Sequence, residues 1–374
     1  MNIPGQSLRS DHIVGIDLLR FVAAFMVVLF HYGSFGRLQP EQYAALPDRA
    51  FPMLDGWTQY GWVGVQFFFV LSGYVIALSA RGGDWKAFLT KRALRILPAL
   101  WICASVALLV RVAVSGQIWD RLADWARSVV LLPKGPYIDG VIWTLVVEVV
   151  FYATVATVLF AFKSQKDTNR LLDRLALCLG TLSAAFVLTR LALQIAGAPQ
   201  AQILTGFKWT VVLLNHGMLF ALGMLLRPFG TESFAAPRTL AIAGFGLAGM
   251  AQITLETQNA TGSIIANTLF ILSVLGLLGS ITYNAHLARL SGLLPFRTLG
   301  NMSYPLYLGH FAVSMALIPA LFTAVPHQTT LLCLCLALVL GYAWAVSALA
   351  EPALRGTLRQ ILRPAAKTVA NRAP

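Results

Sequence analysis

Residues 15–32 read GIDLLRFVAAFMVVLFHY, the centre of an apolar run over about 14–33. That run has the roughly 20 residues needed to cross the hydrocarbon core of a bilayer. It is too long for the apolar core of a secretory signal and has no A-x-A-like cleavage site, so it is expected to stay as a spanning helix. Asp17, Arg20 and His31 interrupt it. The step from Arg20 to His31 turns through roughly 1100° with a rise of about 16 Å, close to three full turns, so both side chains line one helix face. A charged group at the bilayer centre costs on the order of 2.5–3.5 kcal/mol even on a lenient insertion scale, and such groups usually face a polar interior and work there. The pair therefore predicts a shared polar cavity beside this helix. Asp17, three residues before Arg20, is placed to pair with it in a structural role.

Composition extends this reading to the whole chain. Of 374 residues, 57% are hydrophobic and 11% charged, against about one quarter charged in soluble chains. Ten spans are expected at approximately 14–33, 61–80, 96–115, 141–162, 171–193, 209–227, 238–256, 262–283, 303–324 and 329–350. The fold class is all-α, a polytopic membrane protein with about ten transmembrane helices. It is organised as an N-terminal tail (1–13), one membrane domain (14–350) and a basic C-terminal tail (351–374), with no Pro/Gly/Ser-rich linker between globular blocks.

The net charge of +13 would point to nucleic acid in a soluble protein. Here the basic residues flank apolar segments and form no stripe interleaved with aromatics, so no nucleic-acid partner is expected. They read as topology signals. With the N-terminal side inside, basic residues favour the inside segments by more than two to one, which places both termini in the cytoplasm. Arg355, Arg359, Arg363 and Lys367 stand four apart, suiting a lipid-facing basic stripe or a solvated tail that fixes topology; no catalytic role is expected of them. Cys103, Cys178, Cys333 and Cys335 fall in apolar segments, and neither a disulfide nor a metal site is expected.

Other polar residues stand in apolar surroundings. In KRALRILP (91–98), Arg92 and Arg95 sit at i, i+3 just before the third span, with Pro98 suited to its first turn. Such a pair either forks onto phosphate oxygens or simply anchors the inside face. In IWTLVVEVVFY (142–152), Glu148 is a carboxylate within a span that must be protonated, paired or used. It can pair with an arginine, orient His31 or hold the structure by hydrogen bonds. In GVQFFFVLSGYVI (64–76), Gln66, Ser72 and Gly73 suit close helix packing. LGNMSYPLYLGH (299–310) carries Ser303, Tyr304, Tyr307 and His310. Its tyrosines and Pro305 suit an interfacial belt and a helix start, and His310 is equally a packing or a working residue. His216 reads as interfacial. His31 is either a helix-end histidine at the headgroups or a catalytic base, since an unperturbed pKa near ~6.5 lets imidazole take a proton and return it. No P-loop, H-E-x-x-H or G-x-S-x-G occurs, so nucleotide or zinc hydrolysis is not indicated.

In this order, GIDLLRFVAAFMVVLFH, FFFVLSGYVI, KRALRILPALW, WTLVVEVVFY and LGNMSYPLYLGH resemble the membrane-bound acyltransferase family 3, which includes bacterial O-antigen and exopolysaccharide O-acetyltransferases. The resemblance runs from about Val14 to Ala350. It implies an integral O-acyltransferase of the bacterial cytoplasmic (inner) membrane that moves an acyl group, acetyl by family frequency, from cytoplasmic acyl-CoA to a hydroxyl of a sugar in a cell-surface or exported glycan. The family's arginine, ten residues, histidine pattern falls on Arg20 and His31, its R-x-x-R on Arg92 and Arg95, and the glutamate of W-[ST]-L-x-x-E on Glu148. The resemblance thus implies His31 and Glu148 as catalytic residues and Arg20, Arg92 and Arg95 as the acetyl-CoA-binding ones. Membrane lipids are the other partner, and no metal is implied because a thioester is already activated. The chain departs from the family in having Val149 and Val150 after Glu148 where a second acidic residue and Gln are common, and IDLLR where LDGLR is common. The rival reading is a transporter or flippase for a lipid-linked or exported glycan, with Arg20, Glu148 and His31 as its pathway. No motif of 1–190 recurs in 191–374, which weighs against it. A glycosyltransferase would want an adjacent acidic pair in the first outer loop, where Glu41, Asp48 and Asp55 stand apart.

Overall fold

The computed structural model describes residues 13–35, 51–54, 56–227, 235–257 and 259–362. Glu41, Asp48 and Asp55, and the tail residues Arg363 and Lys367, lie outside them. In lipid every backbone N–H and C=O has to be satisfied within its own segment or by buried neighbours, and the described residues accordingly form helices and turns with no strand among them.

The main helices are α1 Val14–Phe30, α2 Val63–Ser79, α3 Trp85–Ser115, α4 Ile118–Val129, α5 Trp143–Ala161, α6 Thr168–Ile195, α7 Gly217–Leu225, α8 Ala236–Glu256, α9 Ala260–Thr282, α10 Phe296–Phe322, α11 Gln328–Ala345 and α12 Glu351–Leu362. Eight helical stretches among the described residues are long and apolar enough to cross a bilayer. The other two expected spans are present at their places but short. α2 has 17 residues, about 26 Å at 1.5 Å per residue. The sixth span is broken, with a short helix at Phe207–Val211 and α7 resuming at Gly217.

Two helix starts differ from expectation in the same way, each lying well before its proline. α3 begins at Trp85, where the Asp84 carboxylate accepts hydrogen bonds from the amides of Lys86 and Ala87, an N-cap that satisfies otherwise orphaned donors. Pro98 therefore lies inside α3, as Pro305 lies inside α10, which starts at Phe296. A proline inside a helix leaves the carbonyl four residues earlier without its amide partner. For Pro98 that carbonyl is Leu94, and Arg355 Nε of α12 donates to it at 3.2 Å.

α10 is the axis of the bundle, packed against α1, α3 and α11, while α7 is wrapped by α2, α6 and α8 with all nine of its residues buried. α2 and α7 meet backbone to backbone. A Cβ on Gly73 would collide with the Phe220 carbonyl, and one on Gly223 with that of Val70. The packing role expected of Gly73 is thus present, but Gln66 and Ser72 on the same helix face cavities instead.

Candidate active site

Three adjoining cavities follow the inner surface of α1, α2, α5 and α10. The first lies towards the end of the bundle at which α1 begins. It has a volume of about 390 Å³ and is lined by Arg20, Arg92, Arg95, Glu148 and Tyr152, with Arg355 and Arg359 of α12. α1 supplies Arg20, the first turns of α3 supply Arg92 and Arg95, and α5 supplies Glu148. Glu148 Oε1 accepts a short hydrogen bond from Ser72 Oγ and one from Tyr152 Oη at 2.6 Å. This orients the carboxylate among the guanidinium groups rather than towards His31. Tyr304 also lines this cavity and donates to the Ile96 carbonyl at 3.3 Å, so it belongs to the interior and not to an interfacial belt.

His31 lies in a second cavity of about 360 Å³, with Val65, Trp143, Tyr307 and Phe311. α1 ends at Phe30 and the chain passes into a wider π-type turn, His31–Phe35, a local rearrangement often found at functional sites. The single cavity expected for Arg20 and His31 is thus two, and Val65 and Tyr307 form walls of both. Tyr307 is fixed there by a 3.1 Å hydrogen bond between its hydroxyl and Thr144 Oγ1 and by an edge contact with Phe68.

The proton positions on two histidines follow from their partners. His310 Nδ1 lies 2.8 Å from the Tyr307 carbonyl and 3.1 Å from that of Leu306. A carbonyl only accepts, so Nδ1 of His310 carries the hydrogen and its Nε2 is an acceptor. His31 Nδ1 lies 3.1 Å from that Nε2 and 2.8 Å from the Val27 carbonyl; both are acceptors, so Nδ1 of His31 carries its hydrogen too. The lone pair of His31 therefore resides on Nε2. This is the tautomer of a base oriented by a second group. The Ser314 hydroxyl bonds the His310 carbonyl and the Tyr32 hydroxyl, the latter at 2.7 Å. Asp139 Oδ2 accepts from the Ala312 amide at 3.2 Å and Oδ1 from that of Val141, tying the start of α5 to α10 beside His310.

A third cavity of about 820 Å³ shares Phe30, Trp62 and Trp143 with the His31 cavity. His216 lines it and is 5% exposed, its ring 5.0 Å from that of Phe69. The break before α7 carries it into the protein and away from the interface where it was expected.

The structure thus groups Arg20, Arg92, Arg95 and Glu148 in one cavity and sets His31 in the next. Sequence reading missed the contribution of Arg355 and Arg359, although Pro98 and the spacing of the tail arginines were visible. It also gave no reason to join His310 to His31 across 279 positions. Asp17 packs directly on α10, where a Cβ on Gly300 would lie 2.5 Å from its own.

A family model described as an acyltransferase domain matches residues 13–349. The peptidoglycan O-acetyltransferase OatA of Listeria monocytogenes is 23% identical over 84% of this chain and 51% of its own length. An O-acetyl transferase of Shigella phage Sf6 is 30% identical over 40% of this chain and 47% of its own. The exopolysaccharide production protein ExoZ of Rhizobium meliloti is 26% identical over 68% and 77%. The chain thus spans about half the length of the first two of these relatives. No solved structure matches it.

Proposed function

Because the chain belongs to the acyltransferase family 3 matched across residues 13–349 and is an acyltransferase, we propose that it is an O-acetyltransferase working through the membrane. It takes an acetyl group from cytoplasmic acetyl-CoA and places it on a hydroxyl of a sugar in a cell-surface or exported glycan. The observation that carries this reading is the position of His31. Its tautomer is set by His310, and it stands between a cavity rich in arginine and a larger one lined by aromatic and amide side chains. The loop charges put the start of α1 inside, so the arginine cavity opens to the side where acyl-CoA is made.

Each group has a part. Arg92 and Arg95, with Arg20, Arg355 and Arg359, present forked donors that suit phosphate oxygens and hold the CoA phosphates. Glu148, held by Ser72 and Tyr152, offsets the mutual repulsion of the guanidinium groups. The thioester arm reaches past Tyr307 towards His31. Nε2 of His31 accepts the acceptor hydroxyl's proton as that oxygen attacks the thioester carbonyl. The tetrahedral intermediate then collapses, the C–S bond breaks, and the imidazolium returns the proton to the departing CoA thiolate. His310 Nε2 accepts the Nδ1–H of His31 throughout.

The test is transfer of label from acetyl-CoA to de-O-acetylated glycan extracted from the source organism, in membranes holding wild type or His31→Ala. Wild type is expected to transfer label and His31→Ala to lose at least about 100-fold in rate, the range for general-base removal. Transfer that persists in correctly inserted His31→Ala would sink the assignment. Movement of unmodified glycan across the membrane without acetylation would favour a transporter instead.

A further inference from the structure

The third cavity is a ligand site by two independent observations. Its volume, about 820 Å³, falls within the roughly 300–1,000 Å³ of small-molecule sites. Gln66 Oε1, Asn215 Oδ1, His216 Nδ1 and Gln252 Oε1 all belong to residues that line it, and none has a protein hydrogen-bond partner. These residues are buried, from 1% exposed for Gln252 to 5% for the other three. Buried polar atoms are nearly always paired, so these four orphans, with Arg190 Nε as a fifth around the same space, mark groups kept for something that enters it. The second observation is the backbone. Residues 212–216 interrupt a span, with Leu213 in the left-handed region at φ 66°. Non-helical backbone at membrane depth is tolerated where it is buried in protein or lines a polar cavity, and strain of this kind collects at functional sites.

The chemistry of the lining selects the occupant. Amides and an imidazole match hydroxyls, each of which both donates and accepts. Asn215 is held in orientation by its Nδ2 bond to Thr210 Oγ1 at 2.8 Å, and the His216 ring lies 5.8 Å from that of Trp143. The two charged groups, Arg190 and Glu256, pair through Arg190 Nη1 at 3.3 Å, so their formal charges offset and Arg190 Nε remains as one more donor for a hydroxyl. Trp62, Trp143 and Tyr137 add aromatic wall to the cavity, apolar area against which the C–H face of a pyranose can lie. Phe30, Trp62 and Trp143 continue into the His31 cavity.

We propose that this cavity is the acceptor subsite and binds a neutral hexose unit through Gln66, Asn215, His216 and Gln252, presenting one hydroxyl towards His31. The inference rests on the O-acetyltransferase reading above. It is tested with detergent-purified full-length chain, labelled acetyl-CoA, and de-O-acetylated cell-envelope glycan separated by anion exchange into neutral and acidic fractions. Wild type should prefer the neutral fraction. Gln66→Leu and Gln252→Leu should each raise the KM for it about tenfold, as expected for losing one hydrogen bond to a buried hydroxyl, with the Kd for acetyl-CoA unchanged. Because each variant removes an orphaned polar atom, its melting temperature should not fall. An unchanged KM in both variants overturns the proposal, as does preferential transfer to the acidic fraction. A raised KM accompanied by weaker acetyl-CoA binding and a lower melting temperature marks a folding role and also overturns it. If wild type transfers to neither fraction, the O-acetyltransferase reading itself falls and takes the subsite with it.

Discussion

His310 supplies His31 with something that α1 alone cannot. The Val27 carbonyl on α1 already accepts from His31 Nδ1, but an i−4 carbonyl fixes only which nitrogen carries the hydrogen. A second acceptor from α10, at 3.1 Å, fixes the plane of the ring and the direction of Nε2. His310→Phe should therefore lower kcat by about 100-fold, the lower end of general-base effects, with the Kd for acetyl-CoA unchanged by equilibrium titration. His310→Gln, whose amide oxygen can accept the same hydrogen, should recover part of the loss. Equal activity in all three proteins would remove His310 from the mechanism. At this scale the sequence is legible where an ionisable group stands in apolar surroundings, as Arg20, Arg92, Arg95, Glu148 and His31 do. It is illegible for neutral polar residues. Gln66 and Ser72 share α2 with Gly73, and nothing in their spacing tells a packing glycine from a cavity-lining glutamine, because the difference lies in what stands opposite.

Helix boundaries were the less legible part of the fold, and the prolines show why. Pro98 and Pro305 both suit a first helical turn, yet the Asp84 cap starts α3 at Trp85 and α10 starts at Phe296. The interior proline then frees the Leu94 carbonyl, and this anchors Arg355 at the wall of the arginine cavity. Pro98→Ala restores the missing amide, so Leu94 is satisfied within α3 and Arg355 loses its acceptor. The melting temperature should stay level or rise, since proline inside a helix costs about 3 kcal/mol relative to alanine. The acetyl-CoA Kd should weaken about fivefold, for a hydrogen bond worth about 1 kcal/mol. Calorimetric titration showing unchanged affinity would mean that the anchor does not matter for binding. The close approach of α2 and α7 makes a second element-scale prediction. Gly223→Val puts a side chain into the Val70 carbonyl and should destabilise the protein by about 3 kcal/mol or more, beyond ordinary overpacking, read as loss of the folded peak on size exclusion in detergent. Gly246→Val on α8, where a Cβ meets nothing within 4 Å, should leave that peak in place.

Across the whole molecule the three cavities form a series, each sharing side chains with the next. Composition and hydropathy disclosed the bundle, but not this series, because cavities arise from which helices end up adjacent. The broken sixth span is the clearest case: an apolar run at 209–227 gives no sign that its first half will leave the helix and carry His216 inward. The series also has a point where binding and turnover separate. Val65 and Tyr307 stand between the arginine cavity and the His31 cavity, and Val65 is 9% exposed. Neither groups phosphates nor lines the third cavity, so enlarging Val65 should obstruct the thioester while leaving each ligand its own site. Val65→Phe is expected to keep the Kd for acetyl-CoA and for neutral glycan within about twofold of wild type and to lower kcat by at least about 100-fold, since misplacing reacting atoms by even 1 Å can cost that much. Equilibrium binding of each ligand alone, followed by single-turnover transfer with both bound, separates the two quantities. Wild-type transfer in Val65→Phe would show that the acetyl group reaches His31 by another path. Loss of acetyl-CoA binding would place the thioester's resting site at this wall rather than short of it.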